Sequence, residues 1–476
     1  MSTKPFIHLF KCSTGFYLYD VNTDAILKIT EKTYNLLRHF SVEENEQIIR
    51  LKREGYLKSK HVEFTEHPMT QFLDAFYKSR LRAITLQVTQ NCNLRCDYCV
   101  YSGKYNTREH SDKRMSFEMA KKGIDFLLEH SYDRSKIEVA FYGGEPLLEF
   151  ELIKMCVKYI EKKAPERSVA YSMTTNGTLL DEKKVAYLVE HRFDIMVSFD
   201  GPKEIHDKYR VFANSGKGTY DLVMKNVQYI KDTYPEFFSE HISFSTVLNP
   251  EEGYSCVGDY FNGEEVFKDS MFTANVISDL GVKENEKKSA TEEFIGEYNY
   301  EYFKLLMSKL GWIREENTSI IARSGFNYIQ RTRGGKHQSG DVELPEKWHH
   351  GGPCVPGERA IFMTVDGIFY PCEKVCEKAD MAVMGDIEHG IDVEKAAKIL
   401  NVEQCTTEEC KSCWAYRYCN FCIRYAEVDQ SEFKESILSQ CEKMRCQVEN
   451  VFRDYCVLRE LGYDFEYGVR KRSERK

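Results

Sequence analysis

The chain has no apolar run of about 18 residues, the length a membrane-crossing helix needs. Its start, Met1-Ser2-Thr3-Lys4-Pro5-Phe6, also lacks an apolar stretch behind a basic head. The two absences predict a cytoplasmic protein that neither spans a membrane nor is exported. An excess of positive charge is missing too: the net charge is −9, which argues against nucleic acid as a main partner. The basic end, Arg470-Lys471-Arg472 with Arg475-Lys476, reads as a solvated tail. Cysteine, by contrast, is abundant. Seventeen cysteines in a cytosolic-looking chain read as metal ligands rather than disulfides. With 42% hydrophobic residues in 476, the chain can build proper cores in about three domains by the usual length prior.

Residues 1–80 predict a small α+β module. Phe6–Phe10 and Phe16–Tyr19 form a hairpin around Ser13-Thr14-Gly15. Thr30 opens a helix, and Ser41-Val42-Glu43-Glu44 reads as a capping box for a second, with Ile48, Ile49 and Leu51, that ends at Gly55. From 81 to 280, strand and helix patterns alternate. The strands are Ile84–Val88, Ile137–Phe141, Ala170–Thr174, Ile195–Phe199, Ile242–Leu248 and Phe272–Ile277. Between them, Phe117, Ala120, Ile124, Leu127 and Leu128 share one helical face, and Leu152–Ile160 is helical with Cys156 in the core. Six β-α units predict an α/β fold, a parallel sheet curled into a partial (β/α)6 TIM-type barrel with its chemistry at the C-terminal strand ends. Residues 281–350 read as a charged bridge. A change of domain follows at 351–450, since 351–446 holds ten of the cysteines, and 451–476 is left as a tail.

Directly after the first barrel strand comes Cys92-x3-Cys96-x2-Cys99. Three thiolates on one short loop can hold three irons of a [4Fe–4S] cube and leave the fourth open. Structural zinc would bring four protein ligands, usually as paired halves. Other signals fall after later strands. Gly143-Gly144-Glu145-Pro146 offers backbone without Cβ obstruction and a carboxylate that can accept from an ammonium. Thr174-Thr175-Asn176-Gly177 is a weaker signal of the same type. In Ser198-Phe199-Asp200-Gly201-Pro202, alternation points Ser198 and Asp200 to one side, toward ribose hydroxyls. Arg210 could pair with a ligand carboxylate, or be a surface arginine; His206 and Asp207 read as loop polar residues.

The CxxxCxxC spacing and its preceding strand resemble the radical S-adenosylmethionine (SAM) enzymes. The resemblance implies that the open iron is chelated by the amino and carboxylate groups of SAM, and that Gly143-Gly144-Glu145 is the motif for the amino group. Further on, Cys354, then Gly367 with Cys372, then Cys410-x2-Cys413-x5-Cys419-x2-Cys422, then Cys441 resemble the SPASM extension of radical SAM peptide maturases. One spacing departs from that pattern: two residues rather than three separate Cys419 from Cys422. Three [4Fe–4S] clusters are then implied, with cluster II on Cys410, Cys413, Cys419 and Cys441 and cluster I on Cys354, Cys372 and Cys422.

Cluster I is one ligand short, because no cysteine lies between Cys256 and Cys354. Cys376, His349 or His350 could close it, or the iron stays open to a substrate cysteine thiolate. Glu373 stands where sulfatase maturases carry an aspartate base, although a solvated or capping glutamate is the plainer reading. Cys12, Cys405, Cys446 and Cys456 read as bland thiols. Before such a core, residues 1–80 resemble a winged-helix-like RiPP recognition element that binds a leader by strand addition; a barrel cap is the other reading. Together these imply a radical SAM maturase forming thioethers in a cysteine-containing precursor peptide with a leader, served by a flavodoxin- or ferredoxin-type electron donor. The alternatives are formylglycine formation or another SPASM peptide modification, and a non-catalytic iron–sulfur or zinc protein.

Overall fold

The computed structural model describes residues 4–39, 44–333, 343–351, 354–426 and 433–466, with the backbone of 469–470. At the N-terminus, β1 (Ile7–Cys12), β2 (Gly15–Asp20) and β3 (Ala25–Ile29) form an antiparallel sheet in that order. Cys12 pairs with Gly15 across the expected turn, and Gly15 takes the φ of +137° that such a turn favours in glycine. The third strand is additional to the expected hairpin. Helix α1 (Glu31–Arg38) is capped by Thr30 as expected. Helix α2 (Glu46–Arg53) is capped by Asn45, whose side chain accepts from the Ile48 amide at 2.9 Å. The box expected at Ser41–Glu44 does not start this helix; its residues 41–43 lie outside the described residues.

The barrel strands follow, alternating with helices. They are β4 (Ala83–Thr89), β5 (Lys136–Gly143), β6 (Ser168–Thr175), β7 (Asp194–Ser198), β8 (Ile242–Leu248) and β9 (Met271–Val276), all parallel and in sequential order. Every residue of β4 is buried, because the sheet continues past it. Beyond β4 lie β10 (Ile361–Met363), parallel to it, and then β11 (Ile368–Tyr370), β12 (Gly385–Asp386) and β13 (Gly390–Ile391), each antiparallel to the last. The cysteine-rich region therefore begins as an extension of the barrel sheet. The core is shared: Met363, Phe362 and Phe369 join Leu86, Ile124 and Phe126 in one buried cluster.

Two expectations for the flanks change. The bridge contains the helices Glu292–Lys309 and Arg323–Arg333. The expected tail from 451 is instead the second half of a helix, Cys441–Glu460, with Val451, Phe452, Tyr455 and Leu458 buried. That helix packs on the N-terminal sheet, where Phe6, Phe10, Tyr17 and Tyr19 share its core. Lys471 to Lys476, the remainder of the expected basic tail, lie outside the described residues. No helix among the described residues is long and apolar enough to cross a membrane.

Phe452 is the hinge pin of this packing. Fully buried, it meets the rings of Phe10 and Tyr19 on one side and those of Trp414 and Tyr418 on the other. Phe452→Ala is expected to cost about 3–5 kcal/mol. Amide exchange should rise across residues 7–20 as well as 441–460, while β5 and β6 stay protected. Unchanged exchange at 7–20 would show that the module holds itself together without this helix.

Candidate functional site

The loop after β4 carries Cys92, Cys96 and Cys99, and its course is set by backbone contacts. The Gly144 amide donates to the Thr89 carbonyl and the Glu145 amide to the Asn91 carbonyl, both at 3.0 Å. A Cβ on Gly143 would stand 2.0 Å from the Thr89 oxygen, and one on Gly144 would stand 2.1 Å from that of Asn91. The two glycines thus admit the close approach of the chain's own cysteine loop. On its other side the loop pairs with residues 209–213: Arg95 N–H donates to Val211, Asp97 N–H to Tyr209, and Ala213 N–H to the Asn93 carbonyl.

Amide donors face the sulfurs. Leu94 N–H lies 3.3 Å from Cys92 Sγ and Tyr101 N–H lies 3.4 Å from Cys99 Sγ. Asn176 Nδ2 lies 3.7 Å from Cys92 Sγ while donating to Asn93 Oδ1 at 2.8 Å. Burial pushes the free Cys92 and Cys96 thiols up to about 12, and Cys99 upward as well. Such thiols become thiolates on binding a cation. Three sulfurs within electrostatic reach of one another, with N–H donors aimed at two of them, suit an iron–sulfur group.

Glu145 is fully buried. Oε1 accepts from Thr175 Oγ1 at 2.7 Å and from the Leu147 amide at 3.0 Å, and Oε2 from the Asn176 amide at 2.7 Å. Burial raises its pKa, against the lowering effect of these donors. The carboxylate therefore locks the end of β6 to the turn after β5.

Asp200 and Arg210, expected as two separate ligand contacts, form one buried ion pair. Arg210 Nε donates to Asp200 Oδ2 at 2.7 Å, with the two side chains 8% and 0% exposed. Asp200 also accepts from the Tyr98 hydroxyl and from the Val247 amide, the latter at 3.0 Å. With Arg210 Nη2 at 3.5 Å from Oδ1, four donor contacts from the chain itself engage the carboxylate. Ser198 is half-buried at the end of β7, in register with Ser245. The Arg210 guanidinium lies beneath Tyr98 and places Nη1 4.0 Å from Cys96 Sγ. His206 is a buried residue of the helix Lys203–Tyr209, not a loop residue. Its Nδ1 accepts from the Asp200 amide at 3.3 Å, its Nε2 meets Thr219 Oγ1 at 3.0 Å, and burial pushes its pKa down to about 4. Tyr98 and His206 were missed as members of this group; the signal for Tyr98 was an aromatic inside the cysteine loop.

The C-terminal cysteines form two further groups. Cys410, Cys413, Cys419 and Cys441 line a cavity of about 270 Å³ together with His350 and Glu403. Burial raises Cys422 and takes Cys372 up to about 11; Cys354 acts on Cys422 and Cys422 on Cys372, so these three are also neighbours. Cys376 turns away, buried, with its thiol 3.8 Å from the Thr107 carbonyl oxygen. His350, considered for the Cys354 group, stands instead at the four-cysteine cavity. Glu373 is half-buried, and its charge acts on Tyr142, the residue before Gly143. Arg108, which sequence reasoning missed, fixes that segment by donating to the carbonyls of Glu373 at 2.8 Å and Val375 at 2.7 Å.

The glycine contacts yield a direct test. Gly144→Ala drives a Cβ into backbone that cannot move aside. It is expected to destabilise by about 1–3 kcal/mol or more and to lower iron uptake by the Cys92 loop. Gly263→Ala, with nothing within 4 Å of its Cβ, is the control and should change neither thermal midpoint nor iron content.

Residues 86–260 match the Radical SAM superfamily. A cysteine-type anaerobic sulfatase-maturating enzyme of Clostridium novyi is 35% identical over 145 residues, 29% of this chain and 37% of that one. The radical SAM cyclopropyl synthase TigE of Paramaledivibacter caminithermalis is 27% identical over 213 residues, 43% of this chain and 41% of that one. The chain thus spans about two fifths of the length of these two curated relatives. The structure of native anSMEcpe with bound AdoMet and Cp18Cys peptide superposes with a TM-score of 0.55 at 22% identity, covering 78% of this chain and 99% of that one. The cysteine loop and the parallel strands β5 to β8 all lie within the stretch, 86–260, that matches the Radical SAM superfamily.

Proposed function

We propose that the chain is a radical SAM maturase of a ribosomally made, cysteine-bearing precursor peptide, and that it joins cysteine sulfur to carbon. The observation that carries this reading is the grouping of the cysteines. One fold gathers a triad at the barrel mouth, a second triad at Cys354, Cys372 and Cys422, and a cavity with four. Cys92, Cys96 and Cys99 would hold the cluster that takes SAM. The other two groups would hold auxiliary [4Fe–4S] clusters, making three in all. When bound, the first cluster and SAM supply a 5′-deoxyadenosyl radical that removes a hydrogen atom from a peptide carbon.

The chain's own residues do the rest. Asn176, Leu94 and Tyr101 direct N–H groups at the cysteine sulfurs, which tunes the site toward reduction. Arg210, neutralised by Asp200, keeps a guanidinium beside Cys96 without leaving a buried unpaired charge. The triad of Cys354, Cys372 and Cys422 would leave one ligand position for a substrate thiolate, and the cluster it would hold would take up the one electron left over when the carbon radical bonds to that sulfur. Glu373, whose charge acts on both Tyr142 and Cys372, would accept the proton of that thiol, and Arg108 holds its backbone. In the N-terminal module, β3 pairs with β2 alone among the described residues, so its outer edge can take a leader strand. A flavodoxin- or ferredoxin-type protein would deliver the electron.

Because the module shares its core with Phe452 and Tyr455, binding is better tested on the whole chain than on an excised module. The experiment is anaerobic incubation with SAM, reductant and a short cysteine-bearing precursor peptide, sought first among reading frames beside the gene. Loss of two hydrogen masses per cross-link, with blocked alkylation of one cysteine, is expected. Cys372→Ala and Cys422→Ala should keep 5′-deoxyadenosine release and lose the cross-link. Loss of the cysteine sulfur would instead show formylglycine formation and overturn the thioether reading. No SAM cleavage by iron-loaded protein would overturn the enzyme reading altogether.

A further inference from the structure

Among the described residues, the group of three His, Cys, Asp or Glu side chains whose ligand atoms come this close together is His349, His350 and Glu403. One nitrogen of each histidine and one carboxylate oxygen all lie within 4.8 Å of one another. The three residues are 1%, 4% and 1% exposed. Their segments are far apart in sequence: the histidines end the strand pairing at 347–348, and Glu403 sits in the short helical stretch Val402–Thr406.

The two rings are set by carbonyl oxygens. His349 Nδ1 lies 3.0 Å from the His350 carbonyl, and His350 Nδ1 lies 3.0 Å from the Cys419 carbonyl. A carbonyl oxygen can only accept, so each Nδ1 carries the proton and each Nε2 keeps its lone pair. Imidazoles that ligate metals through one nitrogen make this contact with the other. His349 Nε2 is buried and has no hydrogen-bond partner among the described residues. Glu403 is held by the Tyr416 hydroxyl on Oε1 at 3.0 Å and by the His350 amide on Oε2 at 2.9 Å. No lysine or arginine acts on it among the described residues. A buried carboxylate with two neutral donors and no cation is a costly arrangement, and a bound cation resolves it. His67, whose ring centre is 5.5 Å from that of His349, accepts on Nδ1 from the Met69 amide at 3.1 Å, so its Nε2 is protonated and it is not a third imidazole ligand.

We propose that His349, His350 and Glu403 hold one first-row divalent cation, zinc by donor type, next to the four-cysteine cavity. Two imidazoles and a carboxylate are a recognised three-ligand set for zinc, with the fourth position left to water. The ion would tie the segment leading into Cys354 to the one leading into Cys410, and so fix two cysteine groups relative to each other. Its ligands include none of the cysteines, but His350 and Glu403 also line the four-cysteine cavity, so the ion would sit at the wall of that cavity; the proposal does not depend on what reaction the iron–sulfur groups serve.

The test uses the full chain, purified anaerobically with its iron and sulfide restored, given zinc and then desalted. About one zinc per chain should remain. Its X-ray absorption edge should show a nitrogen and oxygen shell with the outer scattering of imidazole. His349→Gln and Glu403→Gln, the latter keeping an acceptor for Tyr416, should each lower retained zinc by about tenfold or more while sulfide content holds. A sulfur shell around the zinc, or equal zinc in wild type and both variants, would overturn the site. Should a variant misfold by circular dichroism, the wild-type absorption edge decides between the two outcomes.

Discussion

Everything at the barrel mouth depends on how closely one backbone can lie on another. Two hydrogen bonds, Gly144 N–H to Thr89 and Glu145 N–H to Asn91, stitch the cysteine loop to the end of β5. They form only because no Cβ intervenes at either glycine. Glu145 then extends the stitch to β6 through Thr175 and the Asn176 amide, and Asn176 turns back to the loop at Asn93 and Cys92. Three strand ends are thereby locked around three thiols before any metal arrives. Preorganisation of this kind lets a site bind iron without first paying to order a mobile loop.

A second constraint acts from the opposite side. The segment 209–213 lies along the cysteine loop and carries Arg210 beneath it, where an unpaired guanidinium would be costly. Asp200 answers that charge, the half-buried Tyr98 donates its hydroxyl to the Asp200 carboxylate, and the fully buried His206 accepts from the Asp200 amide. The result is a buried ion pair set under the sulfurs. Farther out, Arg108 connects the barrel to the Glu373–Val375 segment, and the sheet continuing from β4 into β10 keeps the two halves in one body. Cys372, Cys419 and Cys441 pack against the barrel core, whereas Cys410 and Cys413 pack against the core shared with the N-terminal sheet.

Much of this was legible in the residues. Runs such as Ile84–Val88 and Ile242–Leu248, separated by helical faces, carry the parallel-sheet signal without ambiguity, and all six barrel strands lie where the alternation puts them. The cysteine spacing was equally direct. What failed were inferences about partners distant in sequence. Asp200 and Arg210 were each recognised as special, but the nine residues of helix and loop between them hide the fact that they pair with each other. Gly143 and Gly144 were recognised as a close-approach site, but the approaching backbone is Thr89–Asn91. The cap of α2 went to Asn45 because its side chain reaches the Ile48 amide. The last helix was taken for a tail because its charged residues mask Met444, Val448, Val451, Phe452 and Tyr455, spaced as one buried face.

The central claim is that the Cys92, Cys96 and Cys99 loop forms a SAM-binding iron–sulfur site distinct from the C-terminal cysteine groups. Electron paramagnetic resonance of the reduced, iron-loaded protein, recorded with and without SAM, tests it most directly. SAM should shift one cluster signal and leave the others in place, and the shifted signal should be the one missing from a Cys92→Ala, Cys96→Ala, Cys99→Ala variant. A spectrum indifferent to SAM, or a SAM-sensitive signal that survives in that variant, would contradict the account.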